Sequence, residues 1–270
     1  MKLTQGQIDF YHQEGYLFLS DCFLAEEVAL MKRQLPIIYA EDSPARVLEE
    51  GTDVVRMVHG SHKNNEVFDR LVRDPRLLVP AMQLLEDKVY VHQFKVNAKA
   101  AFAGEVWAWH QDYIFWQKED GMPTPRTTNA TVFLDTVTEF NGPLVLIPRT
   151  HNIGTYDDEV KDVALEAENP EWMSHLTVDL KYSLEQKTLA KFVTEYGMVA
   201  PKGSAGSVLF FAPSIFHGSA SNISPFDRAL ALVSYNSVEN KLFEVKNPRP
   251  WFLAERDFTP LEPSADGTKL

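Results

Sequence analysis

The period of the apolar positions changes twice within the first forty residues. Ile8, Phe10 and Tyr11 open a helical face that Gly15 breaks, and "YLFLSDCF" follows as a short strand-like run. "LAEEVALMKRQL" then returns to helical spacing, with acids early and bases late, as the helix dipole favours. One further helical stretch is predicted from about Asn65 to Leu85, so that residues 1–87 make a largely helical N-terminal region. From Lys88 the texture becomes short apolar runs: "VYVHQFKVN", "ATVFLDTV", "PLVLIP", "GSVLFFAP" and "ALALVSYNSV". Several alternate with period two and are punctuated by turns such as "FNGP" and "APKGSAG". That pattern predicts an antiparallel sandwich or barrel rather than a parallel α/β sheet.

One segment interrupts the strands. From Gly154 to Tyr196 the chain is acidic and polar and ends in a predicted helix. Ser183 and Gln186 form a capping-box pattern, Leu189, Phe192, Val193 and Tyr196 share a face, and Gly197 stops it. The segment reads either as a surface insertion or as a lid, since long inserts in compact domains often cover sites. With no internal repeat or linker, residues 1–270 are expected to form a single domain.

Charge and cysteine use narrow the function classes. A formal net charge of −12 argues against nucleic acid or an anionic membrane as partner. No apolar run approaches the length of a membrane span, and the N-terminus lacks the pattern of a signal peptide. Cys22 is the only cysteine, which excludes an internal disulfide and any Cys-based zinc or iron–sulfur site and suits a cytoplasmic protein.

The chemistry concentrates in "WHQDYIFW", Trp109 to Trp116. Read as a strand, it sends His110 and Asp112 to one face, where both can reach one ion, and Trp116 shares their parity while Tyr113 and Phe115 point away. His12-Gln13-Glu14 has the same spacing, but its neighbours are helical, which points the pair apart and makes it solvated surface. Alone the motif is weak, since roughly one His-x-Asp is expected in every two chains of this composition. His217 supplies a third ligand at the end of an apolar run, and two histidines with one carboxylate match the facial triad of non-haem Fe(II) oxygenases. The same set could hold catalytic zinc, although no accompanying general-base motif is present. Arg228, eleven residues beyond His217, favours iron: a guanidinium beside a metal is costly to bury unless it meets an anion, as the distal carboxylate of 2-oxoglutarate would provide. The plain alternative pairs Arg228 with Asp227 at the surface and leaves His217 as a hydrogen-bonded core residue.

These residues resemble the phytanoyl-CoA dioxygenase superfamily of Fe(II)/2-oxoglutarate oxygenases. The similarity runs from "FYHQEGYLFL" to "RDFTPL" and is carried by "VLEEGTDVVRMVHGSH", "VHQFKVNAKAAF", "WAWHQDYIFWQKEDGMPTPR", "EFNGPLVLIPRTH" and "HGSASNISPF". Within the superfamily the chain is similar to bacterial enzymes that hydroxylate free L-leucine at C5, and more distantly to ectoine hydroxylase. The resemblance implies a mostly β fold with flanking helices, built on a double-stranded β-helix (jelly roll). It implies iron on His110, Asp112 and His217, O2 as oxidant, and 2-oxoglutarate on Arg228 and Ser219 with Gln93 and Asn97. Thr131 is a further candidate for that pocket, and His151 is expected to be structural. The intact Asp112 implies hydroxylation rather than halogenation.

A free amino acid needs a cation for its carboxylate and an apolar slot for its side chain. Arg56 and His59 are the candidates for the polar end and Trp116 for a wall of the slot. The rival readings are the same chemistry on isoleucine, a proline-like acid, an ectoine-like zwitterion or a fatty acyl group (acyl-CoA being disfavoured because no basic cluster stands out for the CoA phosphates), a catalytically silent jelly-roll binding protein, and a zinc hydrolase.

Overall fold

The computed structural model describes residues 1–156, 159–160, 171–176, 180–264 and 270. In chain order the elements are α1 (Gln5–Glu14), β1 (Tyr16–Leu19), α2 (Ala25–Ala40), β2 (Arg46–Leu48), β3 (Val55–His59), α3 (Glu66–Val72), α4 (Pro75–Leu85), β4 (Val89–Lys99), β5 (Trp107–His110), α5 (Asp112–Asp120), β6 (Thr127–Phe133), β7 (Leu144–Ile147), β8 (Glu159–Val160), β9 (Tyr182–Ser183), α6 (Gln186–Tyr196), β10 (Val208–Phe211), β11 (Phe216–Ser219) and β12 (Arg228–Ser237). A seven-stranded antiparallel sheet runs β1-β10-β6-β12-β4-β3-β2, and a three-stranded one runs β5-β11-β7. Together they form the jelly roll that the strand texture and the resemblance both predict.

Strand alternation sorts the large sheet into two faces. Along β12, Ala229, Ala231, Val233 and Tyr235 turn toward the helices, where Phe68, Leu77, Leu78 and Ala81 are fully buried. Leu230 and Leu232 turn inward to meet Phe133, Leu146, Leu209 and Phe211 between the two sheets. Each buried Leu, Val or Phe among them stabilises the fold by about 1.5–3 kcal/mol. On β4, Phe94 and Val96 join the helix side, so Gln93, Lys95, Asn97 and Lys99 form a polar row facing inward. That row sets the axis of the site. Opposite it on β12, Ser234 pairs with Gln93, Leu232 with Lys95, Leu230 with Asn97 and Arg228 with Lys99.

Three local expectations fail for identifiable reasons. The stretch from Asn65 to Leu85 is two helices, because Asp74 caps a new start, its side chain accepting from the Arg76 amide, and Pro75 takes the first turn. Ser183 does not cap α6: it lies in β9, and Glu185 occupies the cap position with no side-chain bond. The N-terminal region is less purely helical than its pattern, since β2 and β3, besides the expected strand β1, join the large sheet. Among the described residues no helix is long and apolar enough to cross a membrane.

Residues 157–158, 161–170 and 177–179 of the 154–196 segment lie outside the described residues. Of the rest, α6 covers the outer face of the small sheet, with Phe192 packed on Phe216 and Tyr156. Leu176 and Leu180, by contrast, reach the internal cavity.

Candidate active site

The cavity between the sheets follows the polar row of β4. At its centre, the ligand atoms of His110, Asp112 and His217 all lie within 4.8 Å of one another. His110 ends β5 and faces His217 on β11 in register. Their ring centroids are 4.2 Å apart, and each Nε2 is 3.8 Å from an Asp112 carboxylate oxygen.

"WHQDYIFW" is not one strand. It turns from strand to helix at Gln111, and Asp112 is the first residue of α5. The acid at the positive end of the helix dipole, the helix-forming "QKED" that follows, and Gly121 at φ +78 as terminator favour this change of period. The convergence of His110 and Asp112 therefore comes from a strand-to-helix turn rather than from strand alternation. Gln111 holds the turn, donating to the Ser214 and Gly154 carbonyls and accepting from the Tyr156 amide. Trp116 does line the cavity, but so does Phe115, which strand parity had pointed away.

The orientation of the three side chains is fixed from behind. His110 Nδ1 lies 2.7 Å from the Ala108 carbonyl and His217 Nδ1 lies 3.0 Å from that of Ile215. Each Nδ1 is thereby the donor, and each Nε2 is left as a lone pair aimed at the centre. Asn129 Nδ2 donates to Asp112 Oδ2 at 2.8 Å, and Asn129 Oδ1 accepts from Ser234 at 2.6 Å. Burial, and then the neighbouring His217, pull His110 down to about 3, so the imidazole is neutral near pH 7. Burial pushes the Asp112 carboxyl up, but Lys95, His217, His110 and the Asn129 bond outweigh it and hold it below its ordinary value. Lys95 Nζ lies 4.0 Å from Asp112 Oδ1.

Beyond Asn97 the cavity ends at Arg228, which is 2% exposed. Its Nη2 donates to the Gly142 carbonyl at 2.8 Å, while its Nε has no partner among the described residues. Gly142 sits at φ +71, and a Cβ there would come within 2.6 Å of the Ala220 carbonyl, so the "FNGP" turn requires glycine. Asp227 does not pair with Arg228; it accepts from the Ala101 amide. Burial lowers Arg228 to about 9, opposed by the charge of Asp135. Ser219 Oγ, Thr131 Oγ1 and Asn97 Oδ1 are likewise buried and unpartnered. The Arg228 Nε–H and the Ser219 and Thr131 hydroxyls are three donors left without acceptors at one buried cation, an expensive arrangement unless an anion completes them. A dicarboxylate fits.

The Gln93 end differs. Gln93 donates to the Leu253 carbonyl, and Arg249 lines the cavity with Phe115, Trp116, Leu180 and Leu176. Arg249 binds Asp120 through two bonds of 2.8 and 2.6 Å. Sequence reasoning missed Arg249, because "NPRPW" lies outside any strand or helix and reads only as turn. Asn129 could have been found, since it shares strand parity with Thr131 in β6.

Neither Arg56 nor His59 lines the cavity. Arg56 is buried and already bonded to Glu49 and two backbone carbonyls. His59 Nε2 lies 2.8 Å from Met57 Sδ, and burial, with Lys95 and Arg249 nearby, keeps the ring neutral. His151 sits in a short 3-10 turn and does have a partner, its Nε2 lying 3.0 Å from the His12 carbonyl. His12 and Glu14 lie on α1, as the helical reading of that decoy predicts.

Comparison with known proteins places this arrangement in context. The profile of the family described as Phytanoyl-CoA dioxygenase (PhyH) matches residues 11–230. The chain is 39% identical to L-proline trans-4-hydroxylase of Streptomyces griseoviridis, over 94% of this chain and 93% of that protein. It is 37% identical to ectoine dioxygenase of Sphingopyxis alaskensis, over 94% of this chain and 83% of that protein. The crystal structure of EctD from S. alaskensis with 2-oxoglutarate and 5-hydroxyectoine superposes with a TM-score of 0.81 at 34% identity, covering 97% of this chain and 86% of that one. This chain belongs to the phytanoyl-CoA dioxygenase family of non-haem iron, 2-oxoglutarate-dependent dioxygenases.

Proposed function

We propose that this protein is a hydroxylase of a small free amino acid, with L-leucine at C5 as the target. The observation that carries the reading is the pair of buried arginines at opposite ends of one cavity, with the two-histidine, one-carboxylate cluster between them. His110, Asp112 and His217 would hold Fe(II), and Arg228, Ser219, Thr131 and Asn97 would hold the distal part of 2-oxoglutarate. Lys95, beside Asp112, is placed to meet the carboxylate of the 2-oxo acid nearest the metal. When bound, iron with 2-oxoglutarate and O2 supplies oxidation of an unactivated C–H bond, with succinate and CO2 as the other products.

The chain's own part is orientation and exclusion of water. The Nδ1 bonds of His110 and His217 keep both Nε2 lone pairs on the metal side. Asn129 donates to one oxygen of Asp112 and so fixes the plane of that carboxylate. At the other end Arg249, braced by Asp120, takes the amino acid's carboxylate, while Met57, Phe115, Trp116, Leu176 and Leu180 enclose its side chain. An apolar enclosure suits a leucine side chain, and the leucine choice rests on that enclosure, since the relatives compared above are a proline hydroxylase and an ectoine dioxygenase rather than leucine hydroxylases. A second reading, L-proline, is favoured by the 39% identity to a proline hydroxylase.

The test is a panel of leucine, isoleucine, proline, ectoine and an acyl-CoA, assayed with Fe(II), 2-oxoglutarate and air for succinate release and product mass. Leucine is expected to release succinate and gain one oxygen. Turnover of proline alone would replace the target, and turnover of ectoine or the acyl-CoA alone would overturn the amino-acid reading. A metal-dependent hydrolysis indifferent to O2 and 2-oxoglutarate would point to zinc instead.

A further inference from the structure

The two sheets of the barrel do not close on each other everywhere. The large sheet ends at β3 and β2, the small sheet ends at β5, and among the described residues no ladder joins those edges. Across this seam lies Arg56, 2% exposed. Its Nη1 donates to Glu49 Oε2 at 2.7 Å, its Nη2 to the Val106 carbonyl at 3.0 Å, and its Nε to the Leu176 carbonyl at 3.1 Å. The guanidinium also stacks on Trp107, 3.7 Å from the ring centroid. Glu49, itself 3% exposed, accepts the Glu105 amide at 3.0 Å with its other oxygen. One planar fork therefore ties three segments that share no secondary structure: the end of β2, the approach to β5, and the insert.

Three residues of these segments or adjacent to the fork form the cavity's side wall: Trp107, Leu176 and Met57. Stability alone does not call for such a device, because a buried ion pair is often no better than apolar side chains of similar volume. What a guanidinium adds is geometry, since five donors in a rigid plane fix the relative position of every acceptor they meet. We propose that Arg56, held by Glu49, is a positioning residue that clamps the barrel seam. By fixing Trp107 and Leu176 it sets the width of the substrate compartment and keeps bulk water from the metal side, so that 2-oxoglutarate consumption stays coupled to hydroxylation. The inference rests on the amino-acid hydroxylase reading of the same cavity and assigns Arg56 no contact with substrate.

The test compares Arg56→Lys and Glu49→Gln with Glu27→Gln, which weakens a buried ion pair to Arg76 remote from the cavity. A lysine can still meet Glu49 but cannot reach two carbonyls and stack as well. Hydrogen exchange on the protein without substrate is expected to quicken about tenfold at residues 105–107 and 171–176 in both seam variants, and not in Glu27→Gln. With substrate, hydroxylated product per succinate is expected to fall about twofold or more in the seam variants, with the KM for 2-oxoglutarate little changed. Unchanged exchange at those segments overturns the clamp. So does an unchanged product-to-succinate ratio, or an equal fall in Glu27→Gln, which would mark a merely structural role. If the wild type hydroxylates no member of the amino-acid panel, the functional reading fails, while the exchange measurement still decides the clamp.

Discussion

The two ends of the cavity handle a buried arginine in opposite ways. Arg228 is left incomplete: one bond to a backbone carbonyl, and unpartnered Ser219, Thr131 and Asn97 around it. Arg249 is braced by Asp120 through two bonds before any ligand arrives. An incomplete cation binds a complementary anion strongly, because the ligand removes a standing desolvation cost. A braced one holds a fixed direction and gains less from each new partner. The Arg228 end is thus suited to a co-substrate common to every turnover, and the Arg249 end to selecting among substrates by shape.

That contrast can be broken at several strengths. The largest effect lies between the two ends: Asp112→Ala or His217→Ala is expected to lower activity by about a thousandfold or more and to abolish stoichiometric Fe(II) binding, measured by anaerobic titration. Asn129→Ala, which frees one oxygen of Asp112, is expected to weaken iron binding roughly ten- to a hundredfold in the same titration, with the fold intact by circular dichroism.

Acid stability sharpens the picture of the Arg249 end. Burial pushes the Asp120 carboxyl up, but Arg249 and His92 outweigh it and hold the group at about 2, below its ordinary 3.8. A carboxyl with a folded-state pKa below its unfolded value stabilises the protein above about pH 4, and that contribution disappears as the pH falls toward 2; here it is on the order of 2 kcal/mol. Urea midpoints from pH 5 down to 2 should therefore fall more steeply in the wild type than in Asp120→Asn. Parallel curves would remove Asp120 as the brace of Arg249.

The same contrast explains what the sequence made legible. Arg228, Ser219, Asn97, Thr131 and Gln93 lie on strands, where period two shows which residues share a face; the structure brings all five to the cavity, but Gln93, expected with the other four at 2-oxoglutarate, lies toward Arg249 with its amide already donating to the Leu253 carbonyl. The metal cluster was legible too, although the reason offered was partly wrong, since Asp112 reaches His110 through the start of α5 and not along a strand. The Arg249 end was not legible. Arg249 sits in an irregular segment whose position depends on Asp120, more than a hundred residues away in sequence, and no local pattern reports such a pairing. Arg56 failed for the converse reason: its charge was visible, but Glu49 and the Leu176 carbonyl that engage it were not.

The most direct test of the two-ended cavity is one kinetic comparison, Arg228→Met against Arg249→Met, with the KM for 2-oxoglutarate and for the amino acid measured in each. Arg228→Met is expected to raise the 2-oxoglutarate KM by about a hundredfold, with the amino-acid KM nearly unchanged. Arg249→Met is expected to raise the amino-acid KM by about tenfold or more and to leave the 2-oxoglutarate KM nearly unchanged. If both variants shift the same constant, or if Arg249→Met shifts neither, the assignment of the two ends is contradicted.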